Sequence, residues 1–193
     1  MAAAGQHRDA LLAASVRLFR QKGYAATGLA EILAESGAPK GSLYHYFPGG
    51  KTEIGAAAVQ RAGETVARTL AQLSAETDGP GDLLARYLDM MAGWMAQSDY
   101  RDGSPITTTL LETAPEHEAI RMAGAAAFAD WAAILEASAV QAGVPVDRAA
   151  ALARFAIAAL EGAVIQCRVS RDDAPLKLAA AELRALYEAA QKG

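Results

Sequence analysis

Residues 27–47, Thr-Gly-Leu-Ala-Glu-Ile-Leu-Ala-Glu-Ser-Gly-Ala-Pro-Lys-Gly-Ser-Leu-Tyr-His-Tyr-Phe, constrain this chain more than any other stretch. They spell two short helices joined by a tight turn. Thr27 can cap the first helix by accepting a backbone hydrogen bond, and Leu29, Ile32 and Leu33 then share one face at helical spacing. Gly37 stops that helix, because glycine takes a left-handed backbone without steric cost. Pro39, two residues on, can open the next. The second helix, about 39–46, is short and polar: only Leu43 and Phe47 fall on an inward face, and Lys40, Ser42, Tyr44, His45 and Tyr46 point out. A core hairpin is the plain alternative, but it has no reason to gather Lys, Tyr and His on so short a helix.

The outward set suits duplex DNA. Lysine supplies charge to phosphates, Ser and Tyr hydroxyls bond phosphate oxygens, and Gly41 lets the backbone approach a groove. The spacing of Thr27, Gly37, the run Lys40-Gly41-Ser42-Leu43-Tyr44-His45 and Phe47 resembles the DNA-binding domain of TetR/AcrR-family transcriptional regulators. Ala-Pro-Lys-Gly-Ser-Leu-Tyr-His followed by Phe-Pro-Gly-Gly-Lys is most similar to the LmrA/YxaF branch. The motif covers roughly residues 8–55, and an all-helical pattern extends the likeness more loosely to the rest. Two departures stand out. Gly28 occupies a position where many members have Ser or Thr, so a phosphate contact there must come from backbone, and the Gly49-Gly50 pair adds a residue before Lys51.

Apolar residues make up 52% of the 193 and aromatics only 6%, with alanine dominant, which favours helices over sheet. A formal charge of −4 argues against nucleic acid until it is divided along the chain. Residues 1–51 carry six Lys/Arg against three Asp/Glu, a balance of +3, whereas residues 52–193 carry twelve against nineteen, −7. A basic head on an acidic body is what DNA contact through one end requires. The single cysteine, Cys167, permits no intrachain disulfide and sits in an apolar helical pattern, so a buried thiol is expected. Uncharged runs stop at about ten residues and no leader-like segment opens the chain, so a cytoplasmic protein with no membrane partner is expected.

In chain order, residues 6–22 form a first helix with Leu11, Leu12, Ser15, Leu18 and Phe19 inward, and Tyr24 packs the corner after Gly23. The fold expected is all-α. An N-terminal three-helix, helix-turn-helix DNA-binding domain spans 1–51, a linking helix spans 51–74, and a C-terminal helical domain for ligand binding and dimerisation spans 75–193. The turn cluster Asp78-Gly79-Pro80-Gly81 marks the boundary. Helices are then expected over 82–97, 106–113, from Pro115 up to the Gly143-Val144-Pro145 turn, over 147–170, and over 175–190. Lys51 heads the linking helix, where free N–H groups and the helix dipole favour an anion. The small-sided helix 147–170 and the Leu-striped helix 175–190 suit close packing on other helices. The resemblance implies that they pair two subunits into a homodimer that reads a palindromic operator.

The DNA-facing set is Thr27, Lys40, Gly41, Ser42, Tyr44, His45, Tyr46 and Lys51. In the body, Tyr87, Met90, Met91, Trp94, Phe128, Trp131 and Phe155 gather large, polarizable side chains, with Leu111, Thr107 and Gln166 beside them. Aromatic and Met residues at helical spacing read first as core. The resemblance turns them into a lining for a small hydrophobic effector.

No enzyme, cofactor or metal site is expected. Gly50-Lys51-Thr52 lacks the glycine five residues upstream that a phosphate loop needs, since His45 stands there. His117-Glu118 lacks a second histidine, with Arg121 in its place. The three histidines, His7, His45 and His117, are dispersed, and Gly103-Ser104-Pro105 lacks the second glycine of a nucleophile elbow. The competing function is a helical protein-interaction module without DNA binding, which a gel shift on random duplex at low salt separates from a regulator.

Overall fold

A computed structural model describes the backbone of residues 2–192, and the side chains of all of these except 2–4 and 105. The described residues form nine helices and no strand: α1 (Ala2–Lys22), α2 (Leu29–Ser36), α3 (Ser42–Tyr46), α4 (Gly50–Glu76), α5 (Pro80–Gln97), α6 (Pro105–Thr113), α7 (Glu118–Gln141), α8 (Val146–Ser170) and α9 (Ala174–Lys192). The all-α expectation holds, and the helix ends lie within a few residues of those expected, except at α1, α3 and α7.

The chain divides into two compact units, and neither is a single stretch. The first holds residues up to Glu64 together with Ser104–Ala127, and the second holds Thr65–Gly103 and Phe128 onward. The division therefore does not follow the Asp78–Gly81 turn. Both α4 and α7 run from one unit into the other, because a helix of this length outlasts a single small core.

In the first unit the apolar stripe of α1 is inward as its spacing dictates, with Leu11, Leu12, Leu18 and Phe19 all buried. Ser15 shares that face because its hydroxyl donates to the Leu11 carbonyl at 2.8 Å, which satisfies the buried oxygen. Ile32 of α2, Leu43 and Phe47 at α3, and Ile54, Ala58, Val59 and Ala62 of α4 complete the core with Ile106 and Ile120. Gly63 and Gly124 are packing glycines: a Cβ on either would run into Ala127 or Leu110 respectively.

Two local expectations fail here. Thr27 does not cap α2; the capping position is Gly28, in extended backbone with no side-chain cap, and the Thr27 hydroxyl instead donates back to the Gly23 carbonyl at 2.8 Å. The second helix of the motif begins at Ser42, not Pro39, because Pro39 to Ser42 close a tighter four-residue turn (Ser42 N–H to Pro39 O, 2.8 Å). Gly37 does end α2, at φ +64°.

In the second unit α5 lies along α9. Gly81 allows this, since a Cβ there would press to 3.3 Å on the Arg184 Cα, and Arg184 pairs with Asp82 at 2.5 Å beside it. Leu83, Leu84, Tyr87, Leu88 and Met95 of α5, Leu152, Leu160 and Val164 of α8, and Leu176, Leu183 and Tyr187 of α9 form this core, with Trp131 and Leu135 of α7. Cys167 is buried as expected, and burial pushes its thiol up. By length and mean hydropathy alone (1.2 and 1.5) α7 and α8 could cross a membrane, although their uncharged runs are short. Alanine accounts for much of that hydropathy.

Candidate nucleic-acid interface

The recognition element of the first unit is five residues long, too short to hold itself together in water, so its shape depends on tertiary anchoring. Leu43 (0% exposed) and Phe47 (1%) supply the anchors at i and i+4. Burying two such side chains contributes about 3–6 kcal/mol. With that pair inward, geometry turns the others out. Tyr44 is 63% exposed. Lys40, Gly41 and His45 are exposed too, while Ser42 and Tyr46 are half-buried, the Tyr46 ring edge-on to His45 at 4.7 Å between centroids. Nothing stands within 4 Å of where a Gly41 Cβ would be, so this backbone faces open space.

Thr27 is a correction to the expected DNA-facing set. It is 0% exposed and its hydroxyl is spent on Gly23, so it braces the corner beneath α2 and offers nothing to a ligand. Lys51 stands at the start of α4 as expected. Its ammonium donates to the Ala25 carbonyl at 3.2 Å and lies 4.5 Å above the Tyr24 ring. Burial there holds its pKa below the ordinary lysine value, and the nearby Glu112 charge opposes that shift. Ahead of it Gly50 takes φ +65°, and the Gly49 N–H donates to Glu53 at 2.8 Å, closing the turn that the extra glycine lengthens.

The cations of this unit are unequal. Arg17 pairs with Glu35 (2.5 Å), Lys22 with Glu31, and Arg61 with Asp9 (2.9 Å). Among the described residues Lys40 and Arg8 have no such carboxylate. Arg8 is exposed with its guanidinium 5.5 Å from the centroid of the Phe47 ring, which places a positive charge beside the end of α3. The residue patterns singled out the recognition helix but not Arg8. Thirty-odd residues separate it from Phe47, and no local spacing signals a contact of that range.

The residues expected to line the effector site differ in exposure. Tyr87 and Trp131 are core residues, each 3% exposed, and the Phe128 ring meets Trp131 edge-on at 5.4 Å. Met91 is half-buried, but Met90, Trp94, Phe155 and Gln166 are exposed. Thr107, half-buried, and Leu111, 74% exposed, belong to the first unit and not to the second. Side-chain size and helical spacing cannot say which face of a helix a fold covers, and here Phe155 and Leu111 lie on the uncovered one. Glu161, a buried acid on α8 absent from the expected set, lies near Tyr87; burial first and that charge second push the Tyr87 hydroxyl up.

Comparison with known proteins agrees at both ends of the chain. Residues 11–58 match the family "Bacterial regulatory proteins, tetR family", and residues 80–182 match "Transcriptional regulator LmrA/YxaF-like, C-terminal domain". The HTH-type transcriptional regulator Rv0196 of Mycobacterium tuberculosis is 38% identical over 184 residues, covering 93% of each chain. LmrA of Bacillus subtilis is 31% identical over 172 residues, covering 89% of this chain and 92% of its own. The crystal structure of a TetR regulatory protein from Rhodobacter sphaeroides superposes with a TM-score of 0.80 at 25% identity, over 93% of this chain and 97% of that one. Such regulators are soluble DNA-binding proteins and not enzymes, which also accounts for α7 and α8 without a membrane. With a helix-turn-helix at one end and an LmrA/YxaF-like body at the other, this chain belongs to the TetR family of DNA-binding transcriptional regulators.

Proposed function

We propose that the protein is a cytoplasmic, homodimeric repressor that leaves a palindromic operator when a small hydrophobic effector binds. Functionally, residues 1–51 are the DNA-binding head, 51–74 the link, and 75–193 the effector and dimerisation body. Lys40, Gly41 and His45 reach base edges; Tyr44, Ser42, Tyr46 and Lys51 meet phosphates or sugars, joined by Arg8. Lys51 keeps one N–H on the Ala25 carbonyl and offers the others to a phosphate.

One observation supports the dimer above the others. On α8, Ala151, Phe155, Ala158, Gly162, Ile165 and Val169 recur at alternating steps of four and three, which is a single helix face. Every one is at least partly uncovered, Phe155 by 52%, Ile165 by 48% and Val169 by 82%. On α9, Leu178 (64% exposed), Ala181 and Ala185 continue the apolar surface. Small residues among large ones admit a close helix partner, and a second copy gives the two-fold symmetry that a palindrome demands. Phe155 fits this face better than an effector lining.

For the effector, Tyr87, Phe128 and Trp131 with Met91 form the apolar part of the binding region, which suits an aromatic, neutral or weakly charged compound. Binding must favour the DNA-free form to release the operator. Selection from random duplexes followed by a ligand screen tests the whole proposal. It expects one enriched palindrome with half-sites about one helical turn apart, and compounds that both displace it and change tryptophan emission. Enrichment of a single asymmetric half-site would defeat the dimeric reading.

A further inference from the structure

Glu112, on the last turn of α6, has no part in the duplex-facing set or in the effector region. Its carboxylate is aimed at the corner between α1 and α2, where Oε2 accepts the Ala25 N–H at 2.5 Å. Gly23 makes the approach possible, since a Cβ on it would fall on Glu112 Oε1, and its φ of +87° already excludes most side chains. The same residue is held from its other side, because the Ala25 carbonyl accepts the Lys51 ammonium at 3.2 Å. The neighbouring Tyr24, 7% exposed, meets the rings of Phe19 and His117 at a tilt, with centroids 5.4 Å and 6.0 Å away. Gly55 lets α4 close on that ring, as a Cβ there would come within 2.8 Å of it. One residue thus ties α6 to the first turn of α4 through partners 87 and 26 residues away in sequence, all inside the first compact unit.

We propose that Glu112 is a positioning residue for DNA binding: by holding the Ala25 N–H it fixes the corner from which α2 and α3 project and the carbonyl on which Lys51 rests, so that α6 sets how the head meets the duplex. This rests on the assignment of α3 and Lys51 to the DNA face. An amide donating to a carboxylate makes a short, charge-assisted bond whose strength depends steeply on its geometry, which makes it suited to fix a corner. The sign is diagnostic. As a mere surface acid near a phosphate-binding head, Glu112 would repel DNA and its loss would tighten binding; as a positioning residue, its loss weakens binding.

The test measures affinity for a duplex of about 30 bp taken from the pool enriched by the wild-type protein. Glu112→Ala should weaken binding about tenfold, whereas Glu112→Gln, which keeps the acceptor, should stay within about twofold. Ala25→Pro removes the donor without touching Glu112. Residue 25 is the first central position of the Tyr24–Thr27 turn (Thr27 N–H to Tyr24 O, 3.2 Å), where proline is favoured, so this variant should fold and match Glu112→Ala. Lys51→Ala should cost less in the Glu112→Ala background than in the wild type. Equal effects of Ala and Gln at 112, or tighter binding by either, overturn the proposal. If Lys51→Ala is silent in the wild type, the assignment of Lys51 to DNA fails, and the difference between Ala and Gln at 112 still decides the role of Glu112.

Discussion

α3 and α8 are both helices with an uncovered face, and they solve opposite problems. α3 buries its two apolar residues, Leu43 and Phe47, in its own unit and leaves Lys40, Tyr44 and His45 to water. α8 keeps Leu152, Leu160 and Val164 inside and still leaves Phe155, Ile165 and Val169 outside. A polar, cationic face is stable in water and waits for an anion. An apolar face of such length is unstable in water and calls for a permanent cover. The contrast teaches that exposure by itself names no partner; the chemistry of what is exposed does.

Salt should separate the two faces most widely. A dimer making about 6–10 phosphate contacts should lose about three to five decades of affinity between about 50 and 200 mM salt, measured by anisotropy on a selected duplex. Dimerisation through α8, followed by light scattering over the same range, should not weaken. A salt-insensitive DNA affinity would break the assignment of α3, Lys51 and Arg8 to phosphates.

Ala158→Glu places a charge in the middle of the α8 stripe and leaves the core of its unit intact. It should give monomers by light scattering, and losing the second head should cost about 10²–10⁴ in operator affinity. A wild-type protein that is already monomeric, or a dimeric variant, would show that α8 is covered otherwise.

The anchors of α3 can be set against its outward residues by thermal melts and gel shifts on the same variants. Leu43→Ala leaves a cavity at a fully buried site and should destabilise by about 2–5 kcal/mol, with DNA binding lost as the helix loses its seat. Tyr44→Ala, at a residue 63% exposed, should change stability by less than about 0.5 kcal/mol and still weaken binding. Equal effects on stability would erase the distinction between the two faces of α3.

The smallest effect concerns the inner side of the α5–α9 pair. The Tyr187 hydroxyl is buried without a hydrogen-bond partner, and burial pushes its pKa from 10.0 up to about 12. The folded chain therefore keeps a proton that the unfolded chain releases. Stability is full below about pH 10 and falls as pH rises toward about 12. Tyr187→Phe removes the orphaned group and should stabilise by about 1 kcal/mol at neutral pH while flattening that alkaline decline, with Tyr87 responsible for what remains. A destabilised Phe variant would mean that the hydroxyl is satisfied in solution.

Much of the head was legible because its signals are local. Gly37 must end a helix whose next backbone step is left-handed, and Leu43 and Phe47 lie one helical turn apart, so the inward and outward faces of α3 follow from spacing alone. Thr27 misled for a related reason. A threonine before a helix has two ways to spend its hydroxyl, on the helix ahead or on the turn behind, and only the packing of Tyr24 and Gly23 selects the second. The covered faces of the body were least legible, since Trp94, Phe155 and Leu111 look like core by type and are not covered by this chain.

By itself the sequence determined that the chain is helical, where its helices break, and that a cationic, tyrosine-bearing turn motif stands near its start. These are consequences of backbone preferences and of a hydrophobic period that acts over a few residues. Only the tertiary structure decided that α6 belongs to the first compact unit, that Glu112 accepts the Ala25 N–H, that Arg8 stands over Phe47, and that α8 keeps an apolar stripe in the open. Each depends on contacts between residues far apart in the chain, or on which of several apolar faces a finite core has room to bury, and no local pattern encodes either.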